Sequence, residues 1–269
     1  MSGISFKDQV VIVTGAGGGL GRTYALDIAR RGGAVVVNDL GGSVEGPGGS
    51  SGMADRVVAE IRAAGGRAIA NYDSVATWDG AKRIADAAMN GFGRVDALVN
   101  NAGDMRVDLF EAFADEALGG ILSGHLVGTF NVTKAVWPHM KAQRFGRIIN
   151  LLNTHAKTPA ANTAPTSVTR AAGMALSKVL AGEGAPHNIL VNALLIGRIV
   201  SDQIRRGHAA SDGSLLEARE VALPARLLLL AQLVQVLPGI QARVVAVGEA
   251  QLHRVVAHGL DLLDLHVAF

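Results

Sequence analysis

Apolar residues in this chain fall into short, mostly β-branched runs separated by longer stretches with helical spacing. Val10–Val13 reads as a buried strand, followed by a glycine-rich turn and a helix that begins at Arg22-Thr23-Tyr24-Ala25-Leu26. Further strands are expected at Ala34–Asn38, Arg67–Asn71, Val95–Asn100, Gly146–Leu152 and Asn188–Leu195. Between them lie helical patterns at Met53–Ala64, Asp79–Gly91, Glu116–Arg144 (interrupted by glycines and carrying Pro138) and the small-residue segment Thr166–Gly182. Strands alternating with helices predict parallel β-α-β units. One connection, Leu40–Gly52, is rich in Gly and Ser and long for a strand-to-helix loop.

The turn after the first strand carries the first chemical signal. Gly15-Ala16-Gly17-Gly18-Gly19-Leu20-Gly21 joins a strand to a helix start, so backbone N–H groups can point at a pyrophosphate. Asp39 closes the second strand, where a carboxylate accepts ribose hydroxyls and repels a 2′-phosphate. The expected cofactor is therefore NAD rather than NADP.

Composition narrows the classes. The 269 residues show no compositional break before about residue 215, so one α/β domain is expected, with residues 215–269 as an atypical end to the domain of residues 1–214. A net charge of +2 gives no footprint for nucleic acid. Without cysteine there is no disulfide or thiolate chemistry, and no metal site is expected. The start, MSGISFKDQ, lacks a targeting pattern, and the apolar stretch around Leu227–Leu237 is too short to span a bilayer. A cytoplasmic protein with a small-molecule substrate and no membrane partner is the expectation.

The ordered set TGAGGGLG, Asp39, Asp73 in NYDSV, NNAG at Asn100–Gly103 and Val191-Asn192 resembles the short-chain dehydrogenase/reductase superfamily. NDLGG, the long loop, GGRAIANYDSV and His125-Leu126-Val127-Gly128 are similar, more narrowly, to the hydroxyacyl-CoA dehydrogenase domains of peroxisomal multifunctional enzymes of type 2 and their bacterial relatives. The resemblance covers residue 6 to about residue 203. It implies a doubly wound parallel sheet, the Rossmann fold, with strand order 3-2-1-4-5-6 and a seventh strand left open. It also implies that Gly15, Gly19, Leu20 and Gly21 hold the pyrophosphate, Asp39 the adenosine ribose, and Asp73 with Ser74 the adenine. Asn101, Ala102 and Gly103 would line the nicotinamide ribose, while Ile199 and Ser201 would cover the carboxamide. Ile196 stands where the family has a proline. A homodimer or homotetramer is implied through the helices at Glu116–Arg144 and Thr166–Gly182.

The family's reaction uses a Ser, a Tyr and a Lys four residues after the Tyr. Counted from Gly146-Arg147, those positions hold Asn153, Thr166 and Arg170, and the helical Asn of the proton relay is His125. The chain's two tyrosines, Tyr24 and Tyr72, lie in the cofactor half. An aliphatic hydroxyl is a far weaker acid than a phenol, whose ordinary pKa is about 10. Arg170 keeps a positive charge and could contact the nicotinamide ribose, yet its planar guanidinium does not copy a compact ammonium. Asn153 can polarise a carbonyl. His125 and His155 are candidate substitutes for the missing proton carrier, weighed against structural roles.

After Ser214 the chain contains no Ser, Thr, Lys or Asn and lacks the family's closing Asp-Gly-Gly turn. This is either a family variant or the product of an altered reading frame. A helix at Leu223–Leu237 and an edge strand at Arg243–Val247 remain possible there. The leading expectation is an NAD-dependent oxidoreductase acting on a secondary alcohol or ketone, with a 3-hydroxyacyl thioester as the narrower substrate. The alternatives are a catalytically degenerate NAD-binding partner of an active homologue, and a non-redox lyase or isomerase using the same pocket.

Overall fold

The structure, a computed structural model, describes residues 4–41, 52–103, 109–197 and 244–246. The strands are β1 (Val10–Thr14), β2 (Ala34–Asn38), β3 (Arg67–Asn71), β4 (Ala97–Asn100), β5 (Gly146–Asn153), β6 (Ile189–Ile196) and β7 (Val244–Ala246). They form one sheet in the order β3-β2-β1-β4-β5-β6-β7, with every pairing parallel. The expected six-strand order holds, and the strand left open at Arg243–Val247 adds to β6, with Leu194 opposite Val245.

Both faces of the sheet are covered, so its strands are apolar without alternation. Along β1, Val11 and Val13 point to the side packed by α1 (Gly19–Arg30) and α2 (Gly52–Ala63). Val10 and Ile12 point to the side packed by α3 (Trp78–Phe92) and α5 (Gly128–Gln143). Tyr24, Ile28 and Ile61 fill the first layer; Ile84, Val136 and Met140 fill the second. The period-2 geometry of a strand thus feeds two cores from one continuous run.

Polar residues end the apolar runs in register. Thr14 lies opposite Asn38, Asn38 opposite Asn71, and Asn100 opposite Asn150. Asn38 donates to Asn71 Oδ1 at 2.8 Å, and Asn100 donates to Asn150 Oδ1 at 2.8 Å and to Thr133 Oγ1 at 3.0 Å. Asn150 passes the chain on to Ser177 Oγ on α6 (Ala164–Gly184) at 2.8 Å. Each buried amide is satisfied by a neighbour in the same row, as a buried polar group must be.

Several boundaries differ from the sequence reading for local reasons. The helix expected from Arg22 starts at Gly19, and that expected from Thr166 starts at Ala164, where Pro165 occupies the first turn without losing a hydrogen bond. The glycines within Glu116–Arg144 do not break the helix. Instead, α4 (Asp115–Leu122) runs into α5 through a π-turn at Ser123–Val127. The strand expected at Val95 starts at Ala97, and that expected at Asn188 starts at Ile189, because Asn188 adopts a left-handed turn conformation with φ 57°. Most of the Leu40–Gly52 loop, the division at residue 214 and the expected Leu223–Leu237 helix lie outside the described residues.

Candidate active site

The parallel sheet sets the C-terminal ends of β1, β2, β4 and β5 along one edge, the place where open α/β sheets bind ligands. The glycine turn after β1 is shaped by contacts that leave no room for side chains. Gly15 has φ 63°, and a Cβ there would come within 2.9 Å of the Ala102 backbone. A Cβ on Gly21 would fall on the Gly15 carbonyl oxygen. Gly19, at φ 50°, faces open space at the start of α1, and Leu20 follows in the same first turn. This is a concave backbone surface with helix N–H groups behind it, suited to an anion.

Asp39 is built into that surface. Its Oδ2 accepts from Gly17 N at 2.8 Å and its Oδ1 from Gly41 N at 2.9 Å. A Cβ on Gly17 would stand 2.8 Å from the carboxylate, so the absence of a side chain at position 17 permits this approach. The carboxylate has about four lone-pair sites, and two N–H bonds leave acceptor capacity for vicinal hydroxyls. Asp73 is held differently: Oδ2 accepts from Asn71 Nδ2 at 2.8 Å, Oδ1 takes an ion pair from Arg83, and its backbone N donates to Asn71 Oδ1. Ser74 Oγ accepts from Ala76 N at 3.2 Å, which fixes the loop into α3.

The loop after β4 is tied to the glycine turn. Asn101 Nδ2 donates to the carbonyls of Thr14 (2.9 Å) and Gly15 (3.1 Å), while the Asn101 and Ala102 N–H groups both donate to Thr14 Oγ1 at 3.0 Å. The Asn101 side chain thus faces the turn it supports. Gly103 packs its bare Cα against the His125 ring and the Arg170 guanidinium; a Cβ there would collide with the imidazole and sit 3.3 Å from Arg170 Nη2.

At the reaction end, the structure brings His125 onto the neighbouring Thr169 and Arg170 of α6, which lie far from it in the sequence. Arg170 Nη1 donates to the Leu151 carbonyl at 2.7 Å, and Nη2 lies 3.2 Å from His125 Nε2. His125 Nδ1 lies 3.0 Å from Thr169 Oγ1, whose proton goes to the carbonyl of Pro165 or Thr166. That pattern assigns the imidazole proton to Nδ1 and leaves Nε2 as the acceptor of the guanidinium. The π-turn carries His125 to this position. Burial pushes the Arg170 pKa down to about 10, so the group remains cationic at neutral pH.

Thr166 is buried on the same face of α6 as Arg170, one turn earlier. Asn153 ends β5, and His155 lies in the short turn Thr154–Ala156 against α6. Asn153 Oδ1, His155 Nδ1 and Arg170 Nε are buried and lack hydrogen-bond partners. Ile199 and Ser201 lie outside the described residues. Among the described residues, no His, Asp and Glu cluster could hold a metal, and no helix is long and apolar enough to cross a membrane.

The sequence reading missed Thr14, Gly17 and Thr169. The first two were legible as the polar residue that ends an apolar strand and a glycine facing Asp39 across the turn. Thr169 gave no signal before the π-turn brought His125 onto it.

Residues 9–209 match the family model described as short chain dehydrogenase. The chain belongs to the short-chain dehydrogenase family. A short-chain type dehydrogenase/reductase of Mycobacterium tuberculosis is 47% identical over 188 residues, which is 70% of this chain and 66% of that one. Peroxisomal multifunctional enzyme type 2 of Mus musculus is 45% identical over 193 residues, 72% of this chain and 26% of the mouse protein. The chain therefore spans just under two thirds of the first relative and about a quarter of the second. A solved 7α-hydroxysteroid dehydrogenase, complexed with NADH and 7-oxo glycochenodeoxycholic acid, superposes with a TM-score of 0.70 at 27% identity, covering 76% of each chain. The short-chain dehydrogenase assignment accounts for the glycine turn, the strand order and the tie between β1 and β4.

The packing of the turn makes a prediction that needs no ligand. Gly21→Ala should destabilise the protein by about 1–3 kcal/mol or more, because its methyl meets backbone. Gly18→Ala meets only the flexible end of Met53 at 3.1 Å and, as loss of an N-cap glycine, should cost about 1 kcal/mol or less. Urea denaturation of both variants checks the contrast; equal midpoints would show that the turn is not packed as described.

Proposed function

We propose that this short-chain dehydrogenase binds NAD and belongs functionally with oxidoreductases of secondary alcohols or ketones, a 3-hydroxyacyl thioester being the narrower substrate. The open backbone surface at Gly19 and the Asp39 carboxylate, held by Gly17 and Gly41 with acceptor sites to spare, are what carry the reading. Gly15, Gly19, Leu20 and Gly21 would hold the pyrophosphate, and Asp39 the adenosine ribose. Asp73 and Ser74 would border the adenine; Asn101, Ala102 and Gly103 would form the wall beside the nicotinamide ribose. When bound, the dinucleotide supplies a hydride acceptor or donor. The NADH in the solved hydroxysteroid dehydrogenase supports the cofactor class, and the thioester substrate rests on the sequence resemblance to hydroxyacyl-CoA dehydrogenase domains.

The chain's own residues divide the remaining work unequally. Asn153 can donate an amide hydrogen to a carbonyl oxygen. Arg170 supplies positive charge beside Gly103, the wall assigned to the nicotinamide ribose. Thr166 is too weak an acid to pass the proton that a phenol would pass, and His125 already accepts from Arg170 through Nε2. His155, with Nδ1 buried and without a hydrogen-bond partner, is the better placed histidine. A second reading follows from the same geometry: a cofactor-binding protein with little or no turnover, paired with an active homologue. The Arg170–His125 contact favours it, because the guanidinium takes up the imidazole Nε2 that a proton relay would use. In either reading the exposed Phe130 on α5 and Val168 and Val179 on α6 suit a homodimer face.

Calorimetric titration should give tighter binding of NAD than of NADP, and Asp39→Ala should erase or reverse the preference. Equal affinities in the unmodified protein would remove the cofactor assignment.

Turnover divides the two readings. Weak or absent oxidation of a panel of secondary alcohols is expected for the unmodified protein. Thr166→Tyr combined with Arg170→Lys should raise it by about 10²–10⁴-fold, the usual worth of general acid–base help. Each change alone should do less, since the ammonium tunes the phenol and the lysine also releases His125. Asn153→Ser is the third change if the amide crowds the pocket. An ordinary dehydrogenase rate in the unmodified protein would refute the deficiency, and His155→Ala and His125→Ala would then identify the proton carrier.

A further inference from the structure

Among the described residues, Arg170 is a buried cation without a counter-charge. None of the ion pairs among the described residues includes it, and its partners are a backbone carbonyl and a neutral imidazole nitrogen. A guanidinium has five N–H donors, of which these two contacts engage one each, and Nε is buried without a partner. Burying a charge in this way costs stability unless something pairs with it. The other two unpartnered groups of the reaction end, Asn153 and His155, can also donate: the amide by rotating Nδ2 inward, the imidazole through Nδ1–H. Over Nη2 the wall is the bare Cα of Gly103, so no side chain of that loop residue shields the charge.

We propose that this end of the site receives a carboxylate group of the substrate, with Arg170 as its charge partner and Asn153 and His155 as auxiliary donors. The planar fork of a guanidinium matches a carboxylate through two parallel hydrogen bonds, which an ammonium at the same place would not. The inference rests on the oxidoreductase reading but replaces its narrower substrate: an oxo or hydroxy acid with a free carboxylate stands in place of the 3-hydroxyacyl thioester, whose acyl carboxyl is esterified. As a statement about binding it rests on Arg170. The lowered pKa of the guanidinium agrees with an enclosed charge that lacks a partner.

The test uses the full-length chain without cofactor and a matched pair of probes, acetoacetate and its neutral methyl ester, titrated by calorimetry. Acetoacetate should bind measurably better than the ester. Arg170→Gln should weaken acetoacetate by about 10–100-fold, the worth of a charged hydrogen bond, and leave the ester unchanged. Arg170→Lys should fall between the two, which keeps the test informative if the glutamine variant does not fold. Equal binding of acid and ester, acid binding that survives Arg170→Gln, or no acid binding at tens of millimolar would each overturn the inference. Acid binding without NAD binding would support it while removing the oxidoreductase reading; NAD binding without acid binding would overturn it alone.

Discussion

The hydrogen bonds between Thr14 and the loop after β4 are the constraint on which the site depends. Thr14 accepts from two successive N–H groups, Asn101 and Ala102, while Asn101 returns its amide to the Thr14 and Gly15 carbonyls. Two loops that follow different strands are thereby fixed to each other. The glycine turn can stay open at Gly19 because its other side is clamped at Gly15 and Gly21. Parallel pairing of β1 with β4 makes this possible, since it delivers both strand ends to the same edge of the sheet. Behind it, Asn100 and Asn150 carry the same rigidity from β4 through β5 into α6, while Asn38 separately ties the end of β2 to Asn71 of β3.

The two halves of the site are built to different standards. In the cofactor half, each polar group singled out has a partner, and Gly15, Gly17 and Gly21 are each required by a close contact. In the reaction half, Asn153, His155 and Arg170 each keep a buried polar atom without one. Buried unsatisfied groups are rare in folded proteins and concentrate where a ligand completes the site. Under the proposed correspondence of Arg170 with the family's lysine, a guanidinium changes more than shape. Arg170 reaches both the Leu151 carbonyl and His125, and so closes on itself the corner where a proton relay would run.

How far the sequence could be read follows from the range of each interaction. The strands, the glycine turn and Asp39 were legible because each depends on residues close in the chain or on a strand–turn–helix pattern, whereas the strand order followed from the family resemblance. The seventh strand was half visible in RVVAV, since an edge strand far from its partner carries only local propensity. The π-turn at Ser123–Val127 was not legible, because helix-compatible residues fill it and only tertiary packing selects the wider turn. The contact of His125 with Arg170 and Thr169 follows from that turn and was equally hidden. The resemblance implies that Asn101 lines the wall beside the nicotinamide ribose; that its amide donates to the Thr14 and Gly15 carbonyls is a detail that residue type alone does not give.

A crystal structure of the protein grown with NADH tests the central claim most directly: an intact dinucleotide cradle joined to a reaction end that has a buried cation in place of a phenol and an ammonium. The account predicts the pyrophosphate over Gly19–Gly21, the adenosine ribose on the Asp39 carboxylate, and Asn153 and Arg170 on the nicotinamide side. Density for the dinucleotide away from the glycine turn, or an adenosine ribose that leaves Asp39 untouched, would contradict it.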